Sequence, residues 1–244
     1  MKLSIIIPVY NEENTIRELL TRVQKVPLDK EIVVVDDGSN DHTHEILNSF
    51  NDGTIRVYRH SRNRGKGAAV RTGLKIASGD VVLIQDADLE YSPEDYPKLL
   101  APIVEGKADV VYGSRVLGNP EFYQMGLLTF SKRGLVQNPF LLVGFFYGRR
   151  VVTWLTNLLF GSDLTDQPTC YKTFRRSVLK DLELSSEGFE FCSEVTGKVL
   201  KAGYRILEVP ISYNPRSSSE GKKLTWRDGI RALQTLLKVR FSRS

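Results

Sequence analysis

The stretch VVLIQDAD at residues 81–88 places two carboxylates after four consecutive apolar residues, with only Gln85 between. Such a run is typical of a parallel strand buried on both faces, and open α/β sheets bind ligands beyond the carboxyl ends of their strands. Asp86 and Asp88 therefore suit Mg²⁺ or Mn²⁺, which prefer oxygen ligands and leave positions for substrate phosphates. A D-x-D pair alone has a second interpretation, because aspartates also cap helices and turns.

Strand and helix patterns alternate through the first half of the chain. Five apolar runs predict strands, at residues 3–9, 31–35, 55–59, 80–85 and 108–113. In the segments between these strands, apolar residues recur at helical spacing. This alternation of strands and helices predicts an α/β fold with a mainly parallel sheet flanked by helices. Further on, the pattern predicts a helix near 190–202, a strand at 205–213 and a helix from Thr225.

Length and composition limit the class of protein. The 244 residues fit one large α/β domain, and 41% hydrophobic with 26% charged residues is ordinary for a globular protein. The two cysteines, Cys170 and Cys192, argue against a disulfide framework and indicate a reducing, cytosolic setting. The first eight residues lack a signal-peptide cleavage site. No glycine-rich turn or complete P-loop follows a predicted strand, which argues against NAD-dependent and P-loop classes.

The net charge of +5 is unevenly distributed. Residues 201–244 contain ten Lys or Arg against three Asp or Glu, a balance of +7. A basic segment of this kind suits phosphate groups, a membrane surface or nucleic acid, and the alternative is a solvated helix face. Nucleic acid is the weakest of these partners, because the helix predicted from Thr225 has an apolar face and the chain contains no known reader motif.

Residues 134–161 differ in character from the rest of the chain. Two apolar and aromatic segments, 139–147 and 151–160, lie on either side of Arg149 and Arg150. Neither segment reaches the roughly 20 apolar residues that span a bilayer. Apolar segments flanked by basic residues predict amphipathic helices that lie in the membrane interface. The alternatives are buried core helices or a contact between subunits.

Several further motifs follow one another along the chain. They are IIPVYNEE at 6–13, VVDDGS at 34–39, NRGKG at 63–67, the DAD of 86–88 and GSR at 113–115. With these motifs the chain resembles the family 2 glycosyltransferases, which have the Rossmann-like GT-A fold. Within that family, the stretch EVPI at 208–211 resembles the polyprenyl-phosphate (dolichol-phosphate) mannose and glucose synthases, as do Tyr213, Arg216 and the EGKK of 220–223.

The resemblance implies a donor site at the ends of the first two strands. Pro8, Tyr10 and Glu12 would lie near the nucleotide base and ribose, and Asp37 would accept hydrogen bonds from the base. Lys66 would reach a donor phosphate or help to fix the nucleotide. The alternatives are a simple turn for Asp37 and a helix start that needs small residues for Lys66.

The same resemblance implies a metal at Asp86 and Asp88. Mg²⁺ or Mn²⁺ would lie against the donor diphosphate and offset the charge that builds on the leaving nucleoside diphosphate. Asp88 is accordingly a candidate catalytic residue. Glu90 would add a ligand directly or through water, and its alternative is a surface carboxylate.

Basic residues and one more aspartate complete the implied site. Arg115, Arg216 and Lys222 would bind the remaining phosphates, the last two from a flexible loop whose alternative is an ordinary surface connection. Asp166 matches the catalytic base of related inverting transferases, although Cys170 stands where glycine is often found. A sugar hydroxyl acceptor needs such a base, whereas a lipid phosphate is already ionised. With a lipid acceptor, Asp166 therefore positions other groups.

The resemblance implies a single domain over residues 1–244, with a nucleotide-sugar-binding part at 1–115 and an acceptor- and membrane-facing part at 116–244. The implied reaction is inverting, metal-dependent transfer of a hexose from a nucleotide sugar to polyprenyl or dolichyl phosphate. GDP-mannose is the preferred donor, with UDP-glucose as the alternative. Transfer to a sugar hydroxyl is a rival reaction, and a noncatalytic protein that binds nucleotide sugars or lipids is a rival class. The expected location is peripheral, on the cytoplasmic face of a membrane, without a nucleic-acid partner.

Overall fold

The computed structural model describes residues 1–50, 53–120, 139–215 and 225–242, and the side chains of all of these except 139–147. Within these ranges the chain forms a seven-stranded sheet in the order β3-β2-β1-β4-β6-β5-β7. The strands are β1 (Leu3–Val9), β2 (Lys30–Asp36), β3 (Ile55–Arg59), β4 (Val81–Ile84), β5 (Val110–Ser114), β6 (Lys172–Arg175) and β7 (Ile206–Pro210). Neighbouring strands are parallel, except that β6 is antiparallel to β4 and β5. The predicted α/β fold with a mainly parallel sheet is confirmed.

Helices connect the strands, and a 3₁₀ turn at Pro93–Asp95 precedes the fourth of them. The helices are α1 (Ile16–Lys25), α2 (Thr43–Asn48), α3 (Lys66–Ile76), α4 (Tyr96–Val104), α5 (Arg115–Gly118), α6 (Pro139–Phe160), α7 (Arg176–Lys180), α8 (Phe191–Lys201) and α9 (Trp226–Phe241). The two apolar segments around Arg149 and Arg150 form one continuous helix, α6, because arginine is a good helix former. Among the described residues, no helix is both long and apolar enough to cross a membrane.

The central strands are buried along their whole length. All seven residues of β1 and all four of β4 are buried, as expected for strands with helices on both faces of the sheet. Helix α3 packs closely on β1, since a Cβ at Gly73 would collide with the side chain of Ile6. The small residues of α3 therefore serve helix–sheet packing. This packing also brings Lys66, at the start of α3, to the carboxyl edge of the sheet.

Strand β6 is an element that the sequence pattern did not predict. It has four residues, KTFR, and two of them are basic, so no apolar run marks it. Lys172 at its start pairs with Ile84 at the end of β4 and with Tyr112 in β5. Because β6 is antiparallel, the segment before it lies at the edge that carries the carboxyl ends of β4 and β5. Asp166 reaches the candidate site in this way.

Candidate active site

Asp37, just after β2, holds the turn at residues 63–65. Its buried carboxylate accepts hydrogen bonds from the backbone N–H groups of Arg64 at 3.0 Å and Gly65 at 2.7 Å. The same carboxylate lies 2.6 Å from Nδ1 of His60. Gly65 has a φ of 95°, a conformation that favours glycine. Asp37 thus shapes the turn that begins α3, and its contact with a nucleotide base stays a prediction.

Lys66, the first residue of α3, reaches the D-x-D segment. Its Nζ lies 2.5 Å from Oδ1 of Asp86 and 5.9 Å from the centre of the Phe189 ring. Burial alone would lower the pKa of Lys66, but the Asp86 carboxylate outweighs burial and raises that pKa. The lysine is therefore a cation. Two residues expected at the donor diphosphate, one for a phosphate and one for the metal, meet at one point on the sheet edge.

Glu12 follows β1 and lies beside the D-x-D segment. The hydroxyl oxygen of Thr15 is 2.9 Å from Oε2 of Glu12 and 3.0 Å from the carbonyl oxygen of Ala87. Pro8 is buried within β1, and Tyr10 is half-buried just beyond its end. Thr15 thus links Glu12 to the D-x-D segment, and Pro8 and Tyr10 lie at the same strand end, while the contacts of all three with base and ribose stay predictions.

Asp88 and Glu90 lie on the loop after β4. Asp88 is buried, and its Oδ1 accepts a hydrogen bond from the backbone N–H of Glu90 at 3.1 Å. Glu90 Oε2 accepts a hydrogen bond from the hydroxyl of Tyr213 at 2.9 Å. Within the ranges that the structure describes, no three His, Cys, Asp or Glu side chains converge as a complete metal cage.

The D-x-D carboxylates nevertheless fit a particular kind of metal. Mg²⁺ is commonly held by one or two carboxylates while substrate phosphates and water complete its coordination, and Mn²⁺ favours the same ligands. Asp86 and Asp88 supply two such carboxylates at the end of a buried strand, and 24% of the Asp86 side chain is exposed. Their chemistry suits a cation that arrives together with a diphosphate.

Arg115 and Asp166 form a buried ion pair at the same edge of the sheet. Oδ2 of Asp166 accepts hydrogen bonds from the backbone N–H of Arg115 at 3.0 Å and from its Nε at 2.7 Å, while Oδ1 accepts from Nη2 at 2.8 Å. Asp166 is fully buried. Burial acts to raise the pKa of Asp166, but the charge and hydrogen bonds of Arg115, with the charge of Arg149, hold that pKa below its ordinary value. Asp166 is thus an anion committed to Arg115.

Two tyrosine rings, whose centres are 5.3 Å apart, lie beside the guanidinium group of Arg115. Its Cζ lies 5.1 Å from the ring centre of Tyr213 and 6.0 Å from that of Tyr91. Because Tyr213 also donates its hydroxyl hydrogen to Glu90, one side chain links Arg115 with the D-x-D loop. The sequence patterns assigned Tyr213 no role of its own, and its place two residues after the EVPI stretch was the only signal there.

A cavity of about 320 Å³ lies beside the Arg115–Asp166 pair. Arg149 connects the two, because its Nη1 donates to the carbonyl oxygen of Thr165 at 3.1 Å and lies 3.9 Å from Oδ1 of Asp166. The sequence indicated only that Arg149 and Arg150 flank apolar segments. The residues that line the cavity are Val116, Arg149, Arg150, Thr153, Trp154, Asn157 and Thr165.

Some expectations fall on residues outside those described. Arg216 and Lys222, expected to bind phosphates from a loop, belong to the range 216–224, which lies outside the described residues. The side chains of 139–147, the first segment expected in the membrane interface, also lie outside them. These roles stay predictions, and so does the division of the chain at residue 115.

The fold and this arrangement of carboxylates and arginines define a class of α/β protein with its candidate site at the carboxyl edge of the sheet. Residues 4–183 match the family model described as glycosyl transferase family 2. The chain therefore belongs to glycosyl transferase family 2, and the family expected from its ordered motifs is confirmed.

Curated relatives include proteins named for dolichyl phosphate. The chain is 32% identical over 231 residues to a dolichol-phosphate mannosyltransferase of Pyrococcus furiosus, covering 91% of this chain and 59% of the relative. It is also 32% identical over 238 residues to a UDP-N-acetylglucosamine–dolichyl-phosphate N-acetylglucosaminyltransferase of Methanococcus voltae, covering 89% of this chain and 88% of the relative. The chain thus spans less than two thirds of the first relative but most of the second.

Solved structures with the same fold include glucosyl-3-phosphoglycerate synthase from Mycobacterium tuberculosis. One structure of that enzyme has a TM-score of 0.69 at 19% identity, over 100% of this chain and 82% of the other. Another, solved with Mn²⁺, UDP-glucose and phosphoglyceric acid, has a TM-score of 0.67 at 20% identity, over 100% of this chain and 81% of the other. The predicted GT-A fold is confirmed by this likeness and by the family match.

Proposed function

We propose that this chain transfers a hexose, with inversion, from a nucleotide sugar to a polyprenyl or dolichyl phosphate. The observation that carries the proposal is the commitment of the buried Asp166 to Arg115 beside the D-x-D carboxylates. An acceptor hydroxyl would need a base to remove its proton, whereas a phosphate monoester is already ionised near neutral pH. Because Asp166 is occupied by three donors of Arg115, this arrangement favours the phosphate acceptor over a sugar hydroxyl.

The proposed bond changes balance without a base. An oxygen of the lipid phosphate forms a bond to C1 of the hexose, the bond from C1 to the β-phosphate oxygen breaks, and the nucleoside diphosphate leaves with the electron pair. Attack on the face opposite the leaving group inverts C1. Arg115, held by Asp166, and Arg149 at the cavity wall are the cations proposed to bind and orient the acceptor phosphate.

The proposed cofactor is Mg²⁺ or Mn²⁺, held by Asp86 and Asp88 with Glu90 as a further or water-mediated ligand. When bound, such an ion offsets negative charge on the departing diphosphate. Lys66, a cation at 2.5 Å from Asp86, is proposed to bind a donor phosphate. The Mn²⁺ and Mg²⁺ named with structures of the same fold support the choice of cation.

The proposed donor is GDP-mannose, and UDP-glucose is the second candidate. The name of the Pyrococcus furiosus relative, a mannosyltransferase, supports mannose. The name of the Methanococcus voltae relative, which includes a UDP-sugar, and the UDP-glucose bound in a structure of the same fold support a uridine nucleotide. Pro8, Tyr10, Glu12 and Asp37 are proposed to bind base and ribose in either case.

We also propose that the protein meets its acceptor at the cytoplasmic face of a membrane. Val151, Trp154 and Leu158 are exposed at helical spacing on α6. A second exposed row lies on α9, which packs against α6. Trp154 also lines the cavity that contains Arg149, so the apolar face is continuous with the proposed phosphate site. The exposed apolar residues of α9 are Trp226, Ile230, Leu237 and Phe241.

A labelled-donor assay tests the proposed reaction. Radiolabelled GDP-mannose, UDP-glucose and UDP-N-acetylglucosamine are each incubated with the protein, Mn²⁺ and a polyprenyl phosphate, and the lipid phase is extracted. We expect label in the lipid phase, most of it from GDP-mannose. Transfer to free sugars in parallel reactions, without transfer to the polyprenyl phosphate, would contradict the lipid acceptor. Nucleotide-sugar binding without transfer to any acceptor would favour a noncatalytic binding protein.

A further inference from the structure

The carboxylate of Glu208, on the edge strand β7, holds the main chain of the segment that carries Asp166. Its Oε2 accepts hydrogen bonds from the backbone N–H of Thr165 at 2.6 Å and from the Thr165 hydroxyl at 2.8 Å. Its Oε1 accepts one from the backbone N–H of Asp166 at 2.9 Å. One side chain therefore satisfies two consecutive backbone donors that no helix or strand satisfies.

The contacts continue from this segment to Arg115. Strand β7 runs parallel to β5, with Glu208 beside Tyr112, so Glu208 lies two residues before the level of Ser114. The Ser114 hydroxyl is 2.6 Å from that of Thr165, and Arg115 follows directly with its backbone N–H and guanidinium on Asp166. A chain of contacts thus runs from Glu208 through Thr165 and Asp166 to the Arg115 guanidinium.

We infer that Glu208 is a positioning residue for the transfer reaction, acting through Asp166 on Arg115; this rests on the role proposed for Arg115. Glu208 does not touch the proposed substrates in this scheme. Displacing the main chain by a fraction of an ångström would misplace the arginine, and small misplacements of binding groups are costly in catalysis.

The ionised form of Glu208 is the one that fits its neighbours. All three contacts are donated to the carboxylate, and the two backbone N–H groups can only donate, so the ionised form accepts all three whereas a protonated carboxyl would accept fewer. Burial raises the pKa of Glu208, the Asp166 charge acts in the same direction, and the hydrogen bonds from Thr165 and Asp166 oppose them. The net pKa lies above the ordinary 4.5.

Solvent reaches Glu208 from its outer side. A cavity of about 520 Å³ lies there, and Glu208 forms part of its wall. On the inner side, Tyr112 of β5 and the anion of Asp166 face Glu208. A proton thus has access to Glu208 from the cavity. The charged residues that line this cavity with Glu208 are Lys107, Asp109, Asp163 and Arg205.

The substitution Glu208→Gln tests the inference with almost no change of shape. It replaces one acceptor oxygen by an NH₂ group that faces a donor, and an unsatisfied donor of this kind costs about a factor of ten. We expect kcat to fall about tenfold or more while the KM for the nucleotide sugar changes little. The acid limb of the kcat–pH profile should move to lower pH, because the variant side chain does not titrate.

Glu31→Gln is the matched control. Glu31 is also a buried strand glutamate with several hydrogen bonds, to Ser4, Ser78 and Gly79, but it lies at the amino end of β2, away from the site. We expect this control to lower thermal stability while leaving kcat and the acid limb unchanged. Equal effects of the two substitutions on kcat would overturn the inference.

A double-mutant cycle separates positioning from general destabilisation. In an Arg115→Ala background, Glu208→Gln should reduce the remaining activity by less than about threefold, since residues that act through one another are not additive. If Glu208→Gln reduced activity by the same factor in the wild type and in Arg115→Ala, the inference would be overturned. Full activity of Arg115→Ala would instead contradict the proposed function. If Glu208→Gln does not fold, Glu208→Asp, which keeps the charge but shortens the reach, enters the same cycle.

Hydrogen exchange of Arg115 Nε–H supplies a readout that needs no activity. In the wild type this group donates to Asp166 at 2.7 Å, so its NMR signal should exchange slowly. We expect exchange about tenfold faster in Glu208→Gln and unchanged in Glu31→Gln. Unchanged exchange in Glu208→Gln would overturn the inference even if no hexose transfer were found.

Discussion

At the scale of single residues, the candidate site is built from carboxylates that each hold a specific partner. Asp37 holds the turn before α3, Asp86 lies against Lys66, and Asp166 holds Arg115. The buried Asp166 keeps its charge because Arg115 pairs with it and donates hydrogen bonds to it, which holds its pKa below its ordinary value. The cations Lys66 and Arg115 are thus fixed at the sheet edge, as the proposed stabilisation of a departing diphosphate requires.

One prediction at the scale of residues concerns the D-x-D carboxylates. Replacing Asp88 by Ala should lower turnover by about 100-fold or more with the fold intact, because metal assistance supplies several kcal/mol. EDTA should abolish transfer, and Mn²⁺ or Mg²⁺ should restore it. The measurement is lipid-extractable label, with circular dichroism to check folding.

Asp80→Ala is the control for this substitution. Asp80 is exposed at the opposite end of β4, where its carboxylate accepts a hydrogen bond from the backbone N–H of Lys2. We expect this variant to retain wild-type turnover. Full activity of an Asp86→Ala, Asp88→Ala double variant in the presence of chelator would contradict the metal assignment.

At the scale of elements, α6 and α9 present apolar side chains that the protein interior does not cover. The exposed fractions of Trp154 and Leu158 on α6 are 62% and 63%, and that of Phe241 on α9 is 75%. Exposed apolar faces of this extent mark interaction sites. Two packed helices with exposed rows and a basic C-terminal segment suit a membrane surface.

Liposome flotation tests this assignment. We expect the protein to float with anionic vesicles at low salt and to dissociate as salt increases, because salt screens the attraction to lipid headgroups. Trp154→Ser with Leu158→Ser should weaken binding about tenfold or more, given the apolar area removed. The control is Val104→Ser, since Val104 is 61% exposed but lies on α4. A wild-type protein that stays in solution with lipid phosphate present would contradict membrane binding.

At the scale of the whole molecule, a buried lysine links the strands around the site. Lys172 is fully buried, its Nζ donates to the carbonyl oxygen of Gln167 at 2.6 Å, and it lies 3.7 Å from the centre of the Tyr112 ring. Burial lowers the pKa of Lys172 from 10.5 to about 8. Below this pKa the positive charge of Lys172 is thus retained in the core, at a cost in the free energy of unfolding.

The pH dependence of unfolding tests this cost. Between pH 8 and 10.5 the unfolded chain binds more protons at Lys172 than the folded protein does, so this residue's contribution to stability rises with pH. Over this pH range, the contribution of Lys172 to the free energy of unfolding changes by about 3 kcal/mol. Buried tyrosines and Cys170, whose pKa values are raised by burial, act in the opposite direction.

A comparison of the wild type with Lys172→Met separates the contribution of the lysine from those of the tyrosines and Cys170. We expect the free energy of unfolding of the wild type, relative to this variant, to increase from pH 8 to 10.5 in urea titrations. A constant difference across that range would contradict the assignment of a lowered pKa to Lys172.

Features that depend on short stretches of chain could be predicted from the amino-acid sequence. Apolar runs marked β1, β2, β4 and β5, because strands buried on both faces must be apolar throughout. The D-x-D pair could be assigned to a strand end for the same reason, since only Gln85 separates it from such a run. The ordered motifs were sufficient to predict the family, which the family match confirms.

The way in which distant segments meet depends instead on the packed fold. Strand β6 carries no apolar run, yet its antiparallel insertion brings Asp166 to Arg115, 51 positions earlier in the chain. Glu208 holds Thr165 across 43 positions. Contacts of this kind join polar groups whose partners leave no local pattern in the sequence. They form because the packed sheet fixes which strand ends are neighbours, and buried donors and acceptors must then pair with whatever lies beside them.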